Sequence, residues 1–179
     1  MQGAEDREKK RNDSFSRQEK TKRIYLDSNV LIAYYSTDKA ADNKRKLIEN
    51  RLTVFAQLKD VQLCTSLWAV TETVNILVSQ KRMNRGDVAE IETQFVSEKR
   101  LANLKIYFAE VSLQRDYDFP GFFYHVRQRI LKYHSGLGAI IHSVIMKNNA
   151  IADILTFDEK DDFKQIPDLT VLHPKDVKI

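Results

Sequence analysis

Two hydrophobic rhythms run through this chain. Short apolar runs at Ile24-Tyr25-Leu26, Val61 to Thr65, Ile106 to Leu113, Ile151 to Phe157 and Leu169 to Leu172 read as buried strands. Between them, apolar residues recur at helical spacing. The helical stretches are Val30 to Tyr35, a segment carrying Leu47, Ile48, Leu52, Val54, Phe55 and Leu58, then Leu67 with Val70, Val74 and Leu77. Val88 to Leu101, Phe122 to Leu131 and Ala139 to Asn149 continue the series. Gly86-Asp87 breaks the pattern, and Asp116 to Gly121 reads as a turn-rich link. Strands alternating with helices from Ile24 to Leu172 predict an α/β fold whose central, mainly parallel sheet is covered on both faces.

Met1 to Arg23 departs from this rhythm. It is rich in mixed charge and poor in large apolar residues, which predicts a disordered tail ahead of one domain spanning residues 24–179. At 42% hydrophobic and 30% charged, the chain has enough apolar material for a single core. No stretch approaches the roughly 18 uninterrupted apolar residues of a membrane span, because Glu72 and Asn75 interrupt the best candidate. The N-terminus carries no apolar signal region, and the single cysteine, Cys64, excludes an internal disulfide; a cytoplasmic setting is expected. A net charge of +4 and a pI near 9.1 suit a polyanionic partner without naming one.

Three carboxylates change the picture. Asp27 stands at the junction between the first strand and the first helix, where Asp27 or Ser28 reads equally well as a helix N-cap. Asp158 follows Ile154-Leu155-Thr156-Phe157 and repeats that arrangement, with Glu159, Asp161 and Asp162 close behind. Glu72 lies early in the helix that Ser66 opens, among Val70, Thr71, Thr73 and Val74, which are not the neighbours of a solvent face. Open α/β sheets bind ligands at the carboxyl ends of their strands. Carboxylates gathered there repel one another unless protonated or neutralised, so a cluster of Asp27, Glu72 and Asp158 implies Mg²⁺ or Mn²⁺. Such an ion activates water for phosphodiester hydrolysis. Arg127, Arg129 and Lys132, interleaved with Tyr124 and Tyr133, suit phosphate attraction and base stacking, although a solvated amphipathic face explains each of them singly. Phosphate-cradling G-x-x-x-x-G-K-[ST] and G-x-G-x-x-G motifs are absent.

The motifs taken together resemble the PIN-domain family of metal-dependent ribonucleases, including toxins of VapC type. The matching pieces are Y-L-D-S-N-V-L-I at 25–32, S-L-W-A-V-T-E at 66–72 and I-L-T-F-D at 154–158, followed by D-D-F and T-V-L-H-P. The resemblance spans about 24–174. It implies a three-layer α/β/α fold, an RNA substrate, and Asp27, Glu72 and Asp158 as catalytic metal ligands. Asn29, Thr156, Asp161 and Asp162 would support them, and a cognate antitoxin and a homodimer are the implied partners.

One departure stands out. The family places a further aspartate at the start of the helix before the T-x-D strand, but here that stretch reads G-L-G-A-I-I-H at 136–142. The register set by His142 puts Ala139 in the acidic place; Gly138 is the other register, and neither carries a carboxylate. An inactivating aspartate-to-alanine substitution, a degenerate domain, or recruitment of Glu110, Asp153 or Asp161 would each account for this. An incomplete acidic site is therefore expected, and a non-catalytic module that binds RNA or protein is the alternative function. His142, about one helical turn beyond Ala139, reads either as facing the site or as a buried, hydrogen-bonded histidine.

Overall fold

The computed structural model describes residues 21–109, 119–158 and 162–176. The chain alternates strand and helix as its rhythm predicts. Strand β1 (Lys22–Leu26) leads into helix α1 (Ser28–Tyr35), then α2 (Asp42–Phe55), β2 (Val61–Thr65), α3 (Leu67–Ser79) and α4 (Arg85–Glu98). A short β3 (Arg100–Leu101), β4 (Leu104–Phe108), α5 (Phe119–Lys132), α6 (Leu137–Asn148), β5 (Asp153–Leu155) and β6 (Thr170–Leu172) complete it.

The sheet order is β3-β4-β2-β1-β5-β6, parallel throughout except for the β3–β4 pair. Successive strand residues point to opposite faces, so a parallel sheet needs apolar cover on both sides. Ile24, Leu26, Leu63, Ile106 and Leu155 face a core built with α1 to α4. Tyr25, Cys64 and Ile154 face the other, built mainly with α5 and α6. This is the three-layer α/β/α arrangement. Burial also pushes the Cys64 thiol up to about 11, which leaves it protonated and unreactive near neutrality.

At four points the structure differs from the sequence expectation, each for a local reason. Gly86-Asp87 does not interrupt a helix but lies in the first turn of α4, because the Asn84 side chain caps that helix by accepting from Gly86 N at 2.7 Å. The same helix stops at Glu98 because Lys99 turns left-handed at φ 52°, which frees Leu101 to pair with Leu104 in the antiparallel β3–β4 ladder. Pro120 and Gly121 sit in the first turn of α5, where proline's missing N–H costs nothing. Finally, β5 ends at Leu155, two residues short of Phe157, because the Phe157 N–H leaves the ladder and donates to Asn29 Oδ1 at 2.9 Å. Beyond Phe108 the expected strand residues 110–113 lie outside the described residues, as do Glu110 and Asp161.

The connections run from β1 outward through β2 to β4 on one side, and β5 and β6 add on the other. The direction of winding therefore reverses between β1 and β5. The connections leaving their carboxyl ends pass to opposite faces of the sheet and leave a crevice there, the usual ligand position in open α/β sheets. Asp27 and Thr156 are the first residues past those two strand ends.

Candidate metal centre

Asp27 serves its helix and faces the crevice at once. Its Oδ1 accepts from Ser28 N at 2.7 Å, capping α1, while Oδ2 accepts from Thr156 Oγ1 at 2.7 Å. The backbone ties the two strand ends together as well, Asp27 N donating to Leu155 O at 3.1 Å. Asn29 spans the junction: its Nδ2 donates to Thr156 Oγ1 at 2.8 Å and its Oδ1 receives the Phe157 N–H. Both readings of Asp27 thus describe the same side chain. At 4% exposure its carboxyl is pushed above the usual range by burial, against which the His142 charge and the Thr156 and Ser28 hydrogen bonds act.

Glu72 reaches the same point from α3. Ser66 caps that helix through its Oγ, which accepts from Ala69 N at 3.2 Å, and fixes where Glu72 emerges. Burial raises the Glu72 carboxyl, but hydrogen bonding and charge from His142, with smaller contributions from Ser28 and Trp68, outweigh it and hold the group below its ordinary value. The Trp68 indole N–H is buried and meets no partner at hydrogen-bonding geometry, yet lies near enough to Glu72 to favour its charged form.

Between the two acids stands His142, from α6. Its Nε2 is 2.7 Å from Glu72 Oε2 and 3.4 Å from Asp27 Oδ1. One donor atom from each of Asp27, Glu72 and His142 lies within 4.8 Å of the other two. On the far side of the ring, Nδ1 meets Tyr25 Oη at 2.9 Å, and Tyr25 Oη meets Ser66 Oγ at 2.5 Å. His142 is not among the ligands the sequence leads one to expect. Its i, i+4 spacing from Gly138 is the available signal, since residues so spaced share a helix face.

The remaining candidates divide. Asp158 does not join this three-residue group; its N–H donates to Thr156 Oγ1 at 2.9 Å and its Oδ2 accepts from Asp162 N at 3.1 Å. Asp162 turns its carboxylate towards the start of α6, where a Cβ on Gly136 would stand 3.0 Å from Asp162 Oδ2. Asp153 pairs with Lys22 at 3.5 Å and aligns with Ile24 at the far end of β5, so it is not recruited to the crevice.

Of the two registers left open for the missing acid, the structure turns only one towards Glu72. Ala139 is 8% exposed and belongs to the apolar cluster with Tyr25, Ile140 and Val144. Gly138 faces the crevice instead: a Cβ there would stand 2.9 Å from Glu72 Oε1. The first turn of α6 therefore brings its backbone so close to Glu72 that a Cβ there would crowd the carboxylate. Two carboxylates and an imidazole form an oxygen-rich donor set that fits a divalent cation.

Arg129 also departs from its expected role. It is 8% exposed, donates to Ser143 Oγ at 3.1 Å and pairs with Asp168 at 2.9 Å, which makes it a strut between α5, α6 and the loop before β6. Arg127 and Lys132 remain exposed, over the rings of Tyr124 and Tyr133. Arg129→Ala is expected to lower unfolding free energy by about 1–3 kcal/mol, because it removes a buried hydrogen bond to Ser143 and the nearer of the two cations beside Asp168, which keeps Lys147 at 3.8 Å. Arg127→Ala and Lys132→Ala should stay within about 0.5 kcal/mol. Urea unfolding of the three variants measures this, and equal small losses would remove Arg129 from the scaffold.

Comparison with known proteins gives a fold. No family model matches the sequence, and no curated protein matches it either. Among solved structures, the chain is similar to VapC20 of Mycobacterium tuberculosis, described as a sarcin-ricin loop cleaving toxin, with a TM-score of 0.51 and 12% identity over 79% of this chain and 92% of that one. It is also similar to VapBC2 of Rickettsia felis, solved bound to a DNA fragment from its promoter, with a TM-score of 0.55 and 14% identity over 84% of this chain and 98% of that one. The likeness is one of fold: the chain shares the three-layer, PIN-like α/β/α architecture of these structures. Among the described residues, no helix is long and apolar enough to cross a membrane.

Proposed function

We propose that the chain is a metal-dependent endoribonuclease of PIN type, a toxin whose activity a cognate antitoxin restrains. The observation that carries this reading is the meeting of Asp27, Glu72 and His142 in the crevice between β1 and β5 of a VapC-like fold. When bound, Mg²⁺ or Mn²⁺ supplies an activated water and offsets charge on the phosphate undergoing hydrolysis.

The chain's own residues prepare for that chemistry. Asp27, held by Ser28 N and Thr156 Oγ1, presents a carboxylate whose burial disfavours its charge in the absence of a cation. A cation therefore relieves a cost the fold already carries. Glu72, already held ionised, is the second ligand. Asn29 locks Thr156 and the Phe157 amide, so the carboxylate cannot swing away. Asp158 and Asp162 extend the acidic edge beyond the ligands. Arg127 and Lys132, with the rings under them, are the candidate contacts for the RNA backbone and bases. An apolar groove of about 1150 Å³ between α3, α5 and α6, lined by Leu67, Trp68, Phe122, Ile130, Leu137 and Ile141, offers a protein partner a seat beside the site.

One observation favours a second reading: no carboxylate stands at Gly138, as in a PIN-like module that binds RNA or protein without cutting it. A single experiment separates the two. End-labelled single-stranded RNA incubated with the full chain should be cut at internal positions in Mn²⁺, and cutting should stop on chelation. Binding of that RNA without cleavage, in any of Mg²⁺, Mn²⁺ or Zn²⁺, would defeat the nuclease reading and favour the binding module.

A further inference from the structure

We propose that His142 is itself a metal ligand, so that the centre holds its ion through two carboxylates and an imidazole, and prefers Mn²⁺ or Zn²⁺ to Mg²⁺. The inference rests on the metal-dependent reading of this site and names the donor that completes it.

The spacing of the donors is the first argument. Adjacent ligands of an octahedral ion bound at about 2.1 Å stand about 3.0 Å apart. His142 Nε2 lies 2.7 Å from Glu72 Oε2 and 3.4 Å from Asp27 Oδ1, on either side of that value. The third pair, Asp27 and Glu72, lies within 4.8 Å, so the three donors gather around one point, with His142 at coordination spacing from both acids.

The second argument is how the ring is held. His142 is 2% exposed and anchored in α6, so its imidazole cannot turn away into solvent. Ligating histidines almost always commit their other nitrogen to a hydrogen bond that fixes ring and tautomer. Here Nδ1 meets Tyr25 Oη, which in turn meets Ser66 Oγ. A cation that takes the Nε2 lone pair displaces to solvent the proton shared with Glu72; the proton on Nδ1 then donates to Tyr25 Oη, and Tyr25 donates to Ser66 Oγ. The lone pair of Nε2 then points between the two carboxylates. Burial keeps the Tyr25 hydroxyl protonated and able to relay this order. Ser66 Oγ also accepts from Ala69 N, which ties the relay to the start of α3, the helix that carries Glu72.

The third argument is the close approach of Gly138 to Glu72. A side chain there would press on Glu72 Oε1. His142 lies four residues further along α6, on the same helix face, and reaches the same carboxylate. The imidazole thus supplies from one turn deeper a donor that the side-chain-less Gly138 does not. A nitrogen donor in an otherwise oxygen set moves preference away from Mg²⁺ and towards borderline ions such as Mn²⁺ and Zn²⁺.

Pulsed electron paramagnetic resonance of Mn²⁺ added to the full chain reads the ligand directly. The expected spectrum carries ¹⁴N coupling from one bound imidazole. His142→Asn should abolish that coupling and weaken Mn²⁺ binding by about 10-fold or more, and Tyr25→Phe, which leaves the ligand but frees Nδ1, should weaken it several-fold. Mg²⁺ at roughly 100-fold excess should fail to displace the Mn²⁺. Tightly bound Mn²⁺ without nitrogen coupling overturns the role of His142 and leaves the metal-dependent reading standing. Ready displacement by Mg²⁺ overturns the preference. A folded chain that takes up neither Mn²⁺ nor Zn²⁺ overturns both the inference and the reading beneath it. The wild-type spectrum decides the matter even if His142→Asn fails to fold.

Discussion

Gly138→Asp is expected to raise Mn²⁺ affinity by about 10- to 100-fold, whereas Ala139→Asp is expected to destabilise the chain by about 3–5 kcal/mol and gain no affinity. The two positions are neighbours in sequence, but successive residues of a helix point about 100° apart. Gly138 faces Glu72, and its backbone needs no positive φ, so an aspartate is conformationally admissible there. An acid in the first turn of α6 also meets the positive end of the helix dipole. The added Cβ would stand 2.9 Å from Glu72 Oε1, but that atom is the end of a flexible side chain and can give way. Without metal the crowded carboxylates should lower the melting temperature, and Mn²⁺ should restore it. Ala139 points into apolar neighbours, where a charge finds neither water nor a partner. Titration calorimetry and thermal unfolding with and without Mn²⁺ measure both variants. If Ala139→Asp folds well and binds Mn²⁺ more tightly than Gly138→Asp, Gly138 is not the position that faces the ion.

That contrast marks how far the chain can be read from its letters alone. Strands such as β2, bounded by Val61 and Thr65 as expected, are legible because a parallel strand must be apolar on both faces. Ser66 is legible as a cap because capping chemistry needs only the next turn. The Asp27, Asn29 and Thr156 cluster is legible in part, since two strand ends carrying polar residues must lie side by side if the strands do. Their hydrogen bonds cross 127 to 129 positions of sequence and need the β1–β5 pairing to form. What escapes is direction around a helix axis at its first turn. There the apolar period is set by later residues, and taking His142 as a landmark favours Ala139, which faces the core, over Gly138, which faces Glu72. Arg129 escapes for a related reason. A basic residue among basic and aromatic neighbours reads as surface, and its burial depends on Ser143 and Asp168, which lie 14 and 39 positions away.

Asp27→Asn is expected to cut Mn²⁺-dependent RNA cleavage by on the order of 100-fold, because it removes a charged ligand while leaving an oxygen able to cap α1. Its effect on stability should depend on pH with a definite sign. The Asp27 carboxyl is raised above its ordinary value by burial, so the folded state disfavours the charged form. Above the folded pKa the wild type bears that cost in full. As pH falls through the folded pKa towards the unfolded one, the folded state binds the proton first and the cost disappears. Glu72 acts in the opposite sense: its folded pKa is lowered, so its stabilisation is complete above the unfolded value and is lost only as pH falls through the folded one. In metal-free buffer, therefore, the wild type should gain stability relative to the Asp27→Asn variant as pH is lowered from 7, before the Glu72 contribution begins to fade. Urea unfolding across that range reads the difference, and a gap that widens against the wild type on acidification would contradict the buried, charge-averse state of Asp27. Saturating Mn²⁺ should flatten the dependence, because a bound cation holds the carboxylate ionised and binds only the folded state. Loss of cleavage and loss of this pH dependence in the same variant would tie both to one carboxylate, the cost it imposes on the empty fold being the affinity it offers to the ion.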